Sequence, residues 1–345
     1  MTGKEEKQDM QKPRMRHRYL FALIYGLALT GYAVFTILYV FVIPHGTVSM
    51  EEAVSSLKMN TEVSSTAERQ TEDERDSKAD DTAIVEDVAA ENTGTEQDTF
   101  FSDAENASVY EDSGLKVTMT TEYIYDTKVY IADVVLTDGN MLLTGLAGDS
   151  FGRNVTEKTS DIASRVGAVL AVNGDFYGFR DEGYVIRNGY LYRSEKSDDD
   201  AEDFVVYADG SCEIIREGDI SAEELLEKGA VQVYSFGPAL VEDGSITVSE
   251  GDEVGKSMSS NPRTAIGYVS KNHFVLVVSD GRTDESEGLS LKELAEVMAD
   301  AGCVCAYNLD GGGSTTMYYK GEVYNNPTTN GRIKERKVSD IVYIK

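Results

Sequence analysis

The sequence is poor in the residues that most often announce a reaction. Its 345 residues include three histidines, His17, His45 and His273. Only His273 lies beyond the first 45 residues, which excludes a zinc centre built from several histidines. Three cysteines, Cys212, Cys303 and Cys305, are too few for a disulfide framework. One bridge from Cys212 to Cys303 or Cys305, or a set of buried thiols, are both open. Cys303-x-Cys305 is too short for a Cys-x-x-Cys zinc or redox site. Neither a P-loop nor a dinucleotide fingerprint occurs. Positive charge is scarce as well: 32 Lys+Arg stand against 61 Asp+Glu, a net −29. Such a chain lacks the basic footprint that a nucleic-acid partner requires.

The charge falls in three blocks. Residues 1–45 carry six basic and three acidic side chains, residues 46–115 four and nineteen, and the remainder 22 and 39. Within the first block, Tyr19 to Ile43 is uncharged and mostly apolar. As a helix it would rise about 38 Å, enough for a hydrocarbon core of about 30 Å. Lys12, Arg14, Arg16 and Arg18 precede it, so the positive-inside rule expects residues 1–18 in the cytoplasm and the rest of the chain outside. A cleaved signal peptide is the competing reading. It would have a shorter apolar region, and Val42-Ile43-Pro44-His45 makes a poor cleavage site. The expectation is a single-pass cell-membrane anchor. Residues 44–114, rich in Asp, Glu, Ser, Thr and Ala, have no apolar period and read as a disordered acidic tether. Asn106 and Asn154 match the glycosylation sequon, which matters only in a eukaryotic secretory pathway.

From Leu115 onward short β-rich runs alternate with glycine-containing turns. LKVTMTTEYI, KVYIADVVLT, DFVVYADG and HFVLVVSDG read as strands, and Asn188-Gly189 as a hairpin turn. Three helices are expected: Thr156–Arg165 stopping near Gly167, one opening at the Ser221/Glu224 capping box, and one at the Ser290/Glu293 box. Leu289 and Leu294 are placed as a staple on the last. Strands outnumber helices without regular alternation, so the expected class is α+β: a mixed or antiparallel β-rich domain over 115–345, preceded by one transmembrane helix and a disordered tether.

Gly148-Asp149-Ser150-Phe151-Gly152 imitates a nucleophile elbow, with His273 following in the right order. The helix that an elbow needs straight after the serine starts several residues late, and His273 opens an apolar strand. A serine hydrolase is therefore disfavoured. Four other segments set polar residues at the end of an apolar strand beside glycine: Asn173-Gly174-Asp175-Phe176-Tyr177, Asn261-Pro262-Arg263-Thr264-Ala265, Ser279-Asp280-Gly281-Arg282, and Asn308-Leu309-Asp310-Gly311-Gly312-Gly313-Ser314-Thr315. Loops held by rigid strands are the usual seat of catalysis, and three consecutive glycines let backbone amides approach an anion.

These segments, with Phe236-Gly237-Pro238 between them, resemble in order the phosphodiester glycosidase family, the N-acetylglucosamine-1-phosphodiester alpha-N-acetylglucosaminidase-like domains. The resemblance covers about residues 115–345. It implies hydrolysis of a sugar-1-phosphodiester to a free sugar and a phosphomonoester. Bacterial chains resembling this family often carry an N-terminal anchor, and some are linked to exopolysaccharide biosynthesis. The implied partner is therefore a sugar-phosphate glycan or cell-wall polymer outside the cell. A non-catalytic polysaccharide-binding or assembly module is the second reading. The residues suit the reaction. Carboxylates stabilise or attack an oxocarbenium-like centre, which makes Asp175 and Asp310 candidate nucleophile or base. Asp280 is a third carboxylate or an orienter of Arg282. Arg263 and Arg282 suit a phosphate, with the amides of Gly311, Gly312 and Gly313 and the Ser314 hydroxyl completing a cradle. Asn173 and Asn308 suit sugar hydroxyls. Arg332, Arg336 and Asn326, in the polar stretch 325–337, read more readily as a solvated loop than as part of the site. No cofactor is expected. Acidic segments offer oxygen ligands to a divalent cation, yet no spacing demands one.

Overall fold

The computed structural model describes residues 23–36, 45–49, 107–137, 140–254 and 260–345. The chain divides into two compact units, Met1–His45 and Gly46–Lys345. In the first, residues 23–36 are helical. Thr30 and Thr36 return their hydroxyls to the carbonyls of Gly26 and Tyr32, each at 2.9 Å, as hydroxyls in an apolar helix do. The expected span of 19–43 lies partly outside the described residues. Among those described, no helix is long and apolar enough to cross a membrane. Most of the expected tether also lies outside them. Its end does not: Ser108–Glu111 is a strand paired with Lys116–Met119, so ordered structure begins before the expected boundary at 115.

The second unit is β-rich, and every strand pairing in its larger sheets is antiparallel, which narrows the expected "mixed or antiparallel" sheet to the latter. An eight-stranded sheet runs, from one edge, Ser245–Ile246, Ala239–Glu242, Cys305–Asn308, Thr264–Ser270, His273–Ser279, Thr127–Leu136, Leu115–Ile124 and Ser108–Glu111. A five-stranded sheet holds Leu170–Asn173 between Met317–Tyr319 and Asp340–Ile344. A second five-stranded sheet centres on Ala230–Tyr234.

Alternation along the strands builds the core. Tyr130, Ala132, Phe274, Leu276, Leu170, Val172, Phe204 and Val206 turn inward to one shared cluster. Their neighbours point outward, and each sheet covers that outer face with one helix. Val129, Ile131, Val275 and Val277 pack under Leu291–Asp300 through Leu291, Leu294 and Met298. Ala171, Ile341 and Tyr343 pack under Thr159–Val166, and Val205 and Val233 under Ala222–Glu227. Both faces are therefore dry, which explains near-continuous apolar runs in an antiparallel sheet. Both capping boxes form, and Gly167 closes the first helix in the left-handed conformation at φ 71°. Asn188 and Gly189, at φ 51° and 78°, make the hairpin turn that pairs Arg187 with Tyr190. The three cysteines are free thiols, two of them buried.

Candidate functional site

Strand register brings the marked segments together. Thr264 pairs with Val278 and Ala265 with Asn308. The start of one strand and the ends of its two neighbours thus share one edge of the eight-stranded sheet, carrying Arg263, Asp280 and Asp310. Asn173 ends its strand in the adjacent sheet and ties the two together. Its Oδ1 accepts from the Thr264 hydroxyl at 2.8 Å and the Thr316 amide at 3.2 Å, and its Nδ2 donates to the Asp310 carbonyl at 2.6 Å. Asn173 is wholly buried and does not line the cavity; it positions the backbone of Asp310.

At this edge lies a cavity of about 330 Å³. Arg180, Arg263, Arg282 and Arg336 line it, with Phe176 and Phe236 as walls and Asn308 and Asp310 at the base; Asp310 is the only carboxylate among the lining residues. Cations this close repel one another unless anions join them; Glu253 joins Arg263 and Asp310 joins Arg336, which leaves Arg180 and Arg282. Arg282 shows this most plainly. Its guanidinium donates to Asn261 Oδ1 through Nε (3.2 Å) and Nη2 (2.7 Å) and, among the described residues, meets no carboxylate. Its backbone sits at φ 61°, a conformation that costs a side chain about 1 kcal/mol or more. Burial, then Arg336 and Arg263, lower its proton affinity. Arg263 is anchored by the Leu289 carbonyl at 2.9 Å and Glu253 at 2.7 Å. Asn308 donates to the Gly237 carbonyl at 2.8 Å, while its Oδ1, buried at the cavity, accepts nothing.

Asp310 is the pivot. Its Oδ2 accepts from the Ser314 hydroxyl at 2.6 Å and Arg336 Nη2 at 2.7 Å, and Arg336 Nε holds Ser314 Oγ at 2.8 Å. Burial raises its pKa above the ordinary carboxylate value, against the pull of Arg336 and Ser314. Ser314 is therefore a holder of Asp310.

Asp175 is placed differently. Its Oδ2 meets Arg187 Nη2 at 2.7 Å and the Ser235 amide at 3.2 Å, and its Oδ1 the Tyr177 amide at 3.0 Å. Arg187 also meets Asp340 through Nε at 2.8 Å, and all three side chains are fully buried. Tyr234 lies under the guanidinium at 4.5 Å. Burial works against the charge on Asp175, but Arg187 and the two amides hold its pKa below the ordinary value. Asp340 carries the opposite shift: burial and Asp175 push it up to about 7 despite Arg187. Gly174 has no side chain because a Cβ there would stand 2.2 Å from Asp340 Oδ1.

Two further expectations meet a different arrangement. Asp280 does not line the cavity or orient Arg282. It accepts from the Tyr130 hydroxyl (2.9 Å), the Asn326 amide (2.8 Å) and the Asn326 and Asn325 side chains (3.1 and 3.4 Å). The glycine run is a tight turn in which the Gly312 amide donates to the Pro262 carbonyl, and the amides of Ser314 and Thr315 close on the carbonyls of Gly311 and Gly312. A Cβ on Gly311 would press the Pro262 carbonyl at 2.8 Å, and one on Gly313 the Thr329 hydroxyl at 2.7 Å, so close packing by itself calls for glycine at both positions. Ser150 begins a strand rather than preceding a helix, and His273 pairs with Asp133 at 2.5 Å in the eight-stranded sheet. Among the described residues no group of three His, Cys, Asp or Glu side chains is set to hold a metal ion.

Sequence reasoning passed over Arg180, Arg187 and Asp340, and set Arg336 aside as a solvated-loop residue. Arg336 lies in the stretch read as solvated, and its side chain is 42% exposed; only the fold carries it to Asp310. Arg187 had a signal, an arginine interrupting an apolar strand beside a hairpin turn.

The profile of the phosphodiester glycosidase family matches residues 166–345, more than half of the chain, and the chain belongs to that family. It is 31% identical over 215 residues to the N-acetylglucosamine-1-phosphodiester alpha-N-acetylglucosaminidase of Mus musculus, covering 57% of this chain and 40% of that one. It is 30% identical over 182 residues to the SPbeta prophage-derived uncharacterized protein YomE of Bacillus subtilis (strain 168), covering 51% and 28%. The chain thus spans well under half the length of these relatives. The catalytic domain of the zebrafish N-acetylglucosamine-1-phosphodiester alpha-N-acetylglucosaminidase, auto-inhibited by its pro-peptide, shares the fold at TM-score 0.53 and 21% identity, over 70% of this chain and 84% of that one. A hypothetical protein from Synechocystis shares it at TM-score 0.51 and 16% identity, over 70% and 64%.

Proposed function

We propose that this protein hydrolyses sugar-1-phosphodiesters, releasing a free sugar and a phosphomonoester. The observation that carries the reading is a cavity with four arginines and one carboxylate, Asp310. A phosphate monoester leaves readily from an anomeric carbon, so the leaving group needs its charge held rather than a proton delivered. Arg282, with no carboxylate of its own, and Arg263 take the phosphate oxygens as planar donors. A single carboxylate then suffices on the other side of the bond. Ionised Asp310 either attacks the anomeric carbon or takes the proton from an attacking water as the oxocarbenium character develops. Ser314 and Arg336 aim it. Asp175, spent on Arg187, and Asp280, spent on the 325–326 backbone and side chains, are positioning groups in this scheme.

The same reading places the protein in the cell membrane, with residues 1–18 cytoplasmic, 19–43 as the anchor and the folded unit outside, acting on a surface glycan or cell-wall polymer. Its support is the apolar run, the basic residues before it, and helical residues 23–36 whose large side chains, among them Leu23, Tyr25 and Leu27, are all exposed. A helix apolar on every side belongs in lipid or in a core.

Purified full-length protein is expected to release sugar from a synthetic sugar-1-phosphodiester, and Asp310→Asn to slow this by about 100-fold or more with unchanged thermal unfolding. Glycan binding without turnover across a panel of such diesters would point instead to the binding module.

A further inference from the structure

Behind Asp310 lies a second cavity, of about 290 Å³. Phe176, Asp310 and Arg336 line both cavities, so these three side chains form the wall between them. The two chambers differ in chemistry. The first adds Arg180, Arg263 and Arg282 to the shared wall. The second adds Thr156, Phe179, Ser314, Lys337, Val338 and Ser339, together with Asp175, whose carboxylate is consumed by Arg187. Phe176 and Phe179 stack at 4.7 Å between centroids, giving the second chamber an aromatic side. Ser339 is 2% exposed and its Oγ has no hydrogen-bond partner. That hydroxyl packs against Gly178, where a Cβ would stand 2.1 Å from it, and buried hydroxyls are normally satisfied.

Resting on the proposed hydrolysis, we infer that the second chamber is the glycosyl subsite, so that the substrate straddles Asp310 with its sugar behind the wall and its phosphate and esterified alcohol in front. An uncharged pyranose presents one C–H face, which suits the aromatic pair, and hydroxyls that can satisfy Ser339 and Thr156. Arg336 and Lys337 line this chamber as well, but Arg180, Arg263 and Arg282 all lie on the other side, and the phosphodiester is drawn to that larger cluster. Asn308 Oδ1 supports the same direction. It needs a donor, which the phosphodiester group lacks and which a remaining free hydroxyl of the esterified alcohol supplies in a hexose ester but not in a methyl ester. At about 290 Å³ the second chamber is at the small end of ligand cavities and admits one monosaccharide. The scissile C–O bond then crosses the wall where the Asp310 carboxylate stands.

The test is a panel of four sugar-1-phosphodiesters, two glycosyl groups (gluco and galacto) each esterified with two alcohols (methanol and a hexose). The full-length protein is compared with Ser339→Ala, Phe179→Ala and Arg180→Ala. Ser339→Ala removes an unpaired atom and leaves folding intact, which thermal unfolding checks. The first two variants should change the gluco/galacto ratio of kcat/KM by about tenfold and leave the methyl/hexose ratio alone; Arg180→Ala should do the reverse. The opposite pattern, or ratios unmoved in Ser339→Ala and Phe179→Ala alike, overturns the assignment. A second arm keeps the two claims separate. Displacement of bound free monosaccharide and of inorganic phosphate is measured on the same proteins. If nothing is hydrolysed but Ser339→Ala and Phe179→Ala weaken monosaccharide alone, the subsite stands and the hydrolytic reading falls. If both ligands bind as in the unmodified protein, the subsite falls.

Discussion

Asp175 and Asp310 begin from nearly the same local sequence. Each follows an apolar strand and an asparagine, each sits beside glycine, and each ends 2.7 Å from an arginine nitrogen. Their surroundings separate them. Arg187 is wholly buried and shared between two carboxylates, whereas Arg336 is 42% exposed and Asp310 lines two cavities. A buried carboxylate held by a guanidinium and two amides has no remaining capacity for a substrate. A carboxylate at a cavity wall, raised in pKa and met by its neighbours Ser314 and Arg336 on Oδ2, stands where a substrate can reach it. Residue type and spacing nominate both; burial of the partner decides between a strut and a working group.

The comparison can be broken first at the strut. Arg187→Met would leave Asp175 and Asp340 buried without a cation, which costs about 3–5 kcal/mol in comparable pairs. Denaturant unfolding should register it as a large fall in midpoint with the slope unchanged. A small fall would mean that the triad is not a strut. Asp340 offers a subtler probe. Its folded pKa of about 7 lies above the ordinary 3.8, so it favours folding below about pH 4 and loses that contribution as pH rises towards 7. Asp175, depressed, acts in the opposite sense and only at lower pH. Stability should therefore decline between about pH 4 and 7, and Asp340→Asn should flatten the decline. At the working end, Arg282→Lys removes the planar fork but keeps the charge. KM for a sugar-1-phosphodiester should rise by about five- to tenfold, roughly 1 kcal/mol, with kcat less affected. An equal change in Arg263→Lys and Arg282→Lys would remove the distinction drawn between an anchored and an uncompensated arginine.

The fold was largely legible because local signals agreed with one another. Both capping boxes, the Asn188-Gly189 turn and the strand Leu115–Ile124 appear where pattern and propensity put them. Ser108–Glu111 was hidden because its Ser-Val-Tyr-Glu sequence continues an acidic segment, and its edge pairing depends on a long-range sheet. The site was legible as a set of segments but less so as a set of roles. Asn173, Asp280 and Ser314 look like working residues in one dimension, but Asn173 and Asp280 bond to residues far away in sequence, and Ser314 to Asp310 four residues before it and to Arg336. Arg336 and Arg180 carry no motif, and only register and loop packing bring them to Asp310.

The most direct test is isotopic. Hydrolysis of a sugar-1-phosphodiester by the full-length protein in ¹⁸O-labelled water, followed by mass spectrometry of both products, shows which bond breaks. Cleavage at the anomeric carbon, with Asp310 beneath it and the arginines on the leaving phosphate, places the label in the free sugar and none in the phosphomonoester. Label in the phosphomonoester would mean attack at phosphorus and would contradict the account.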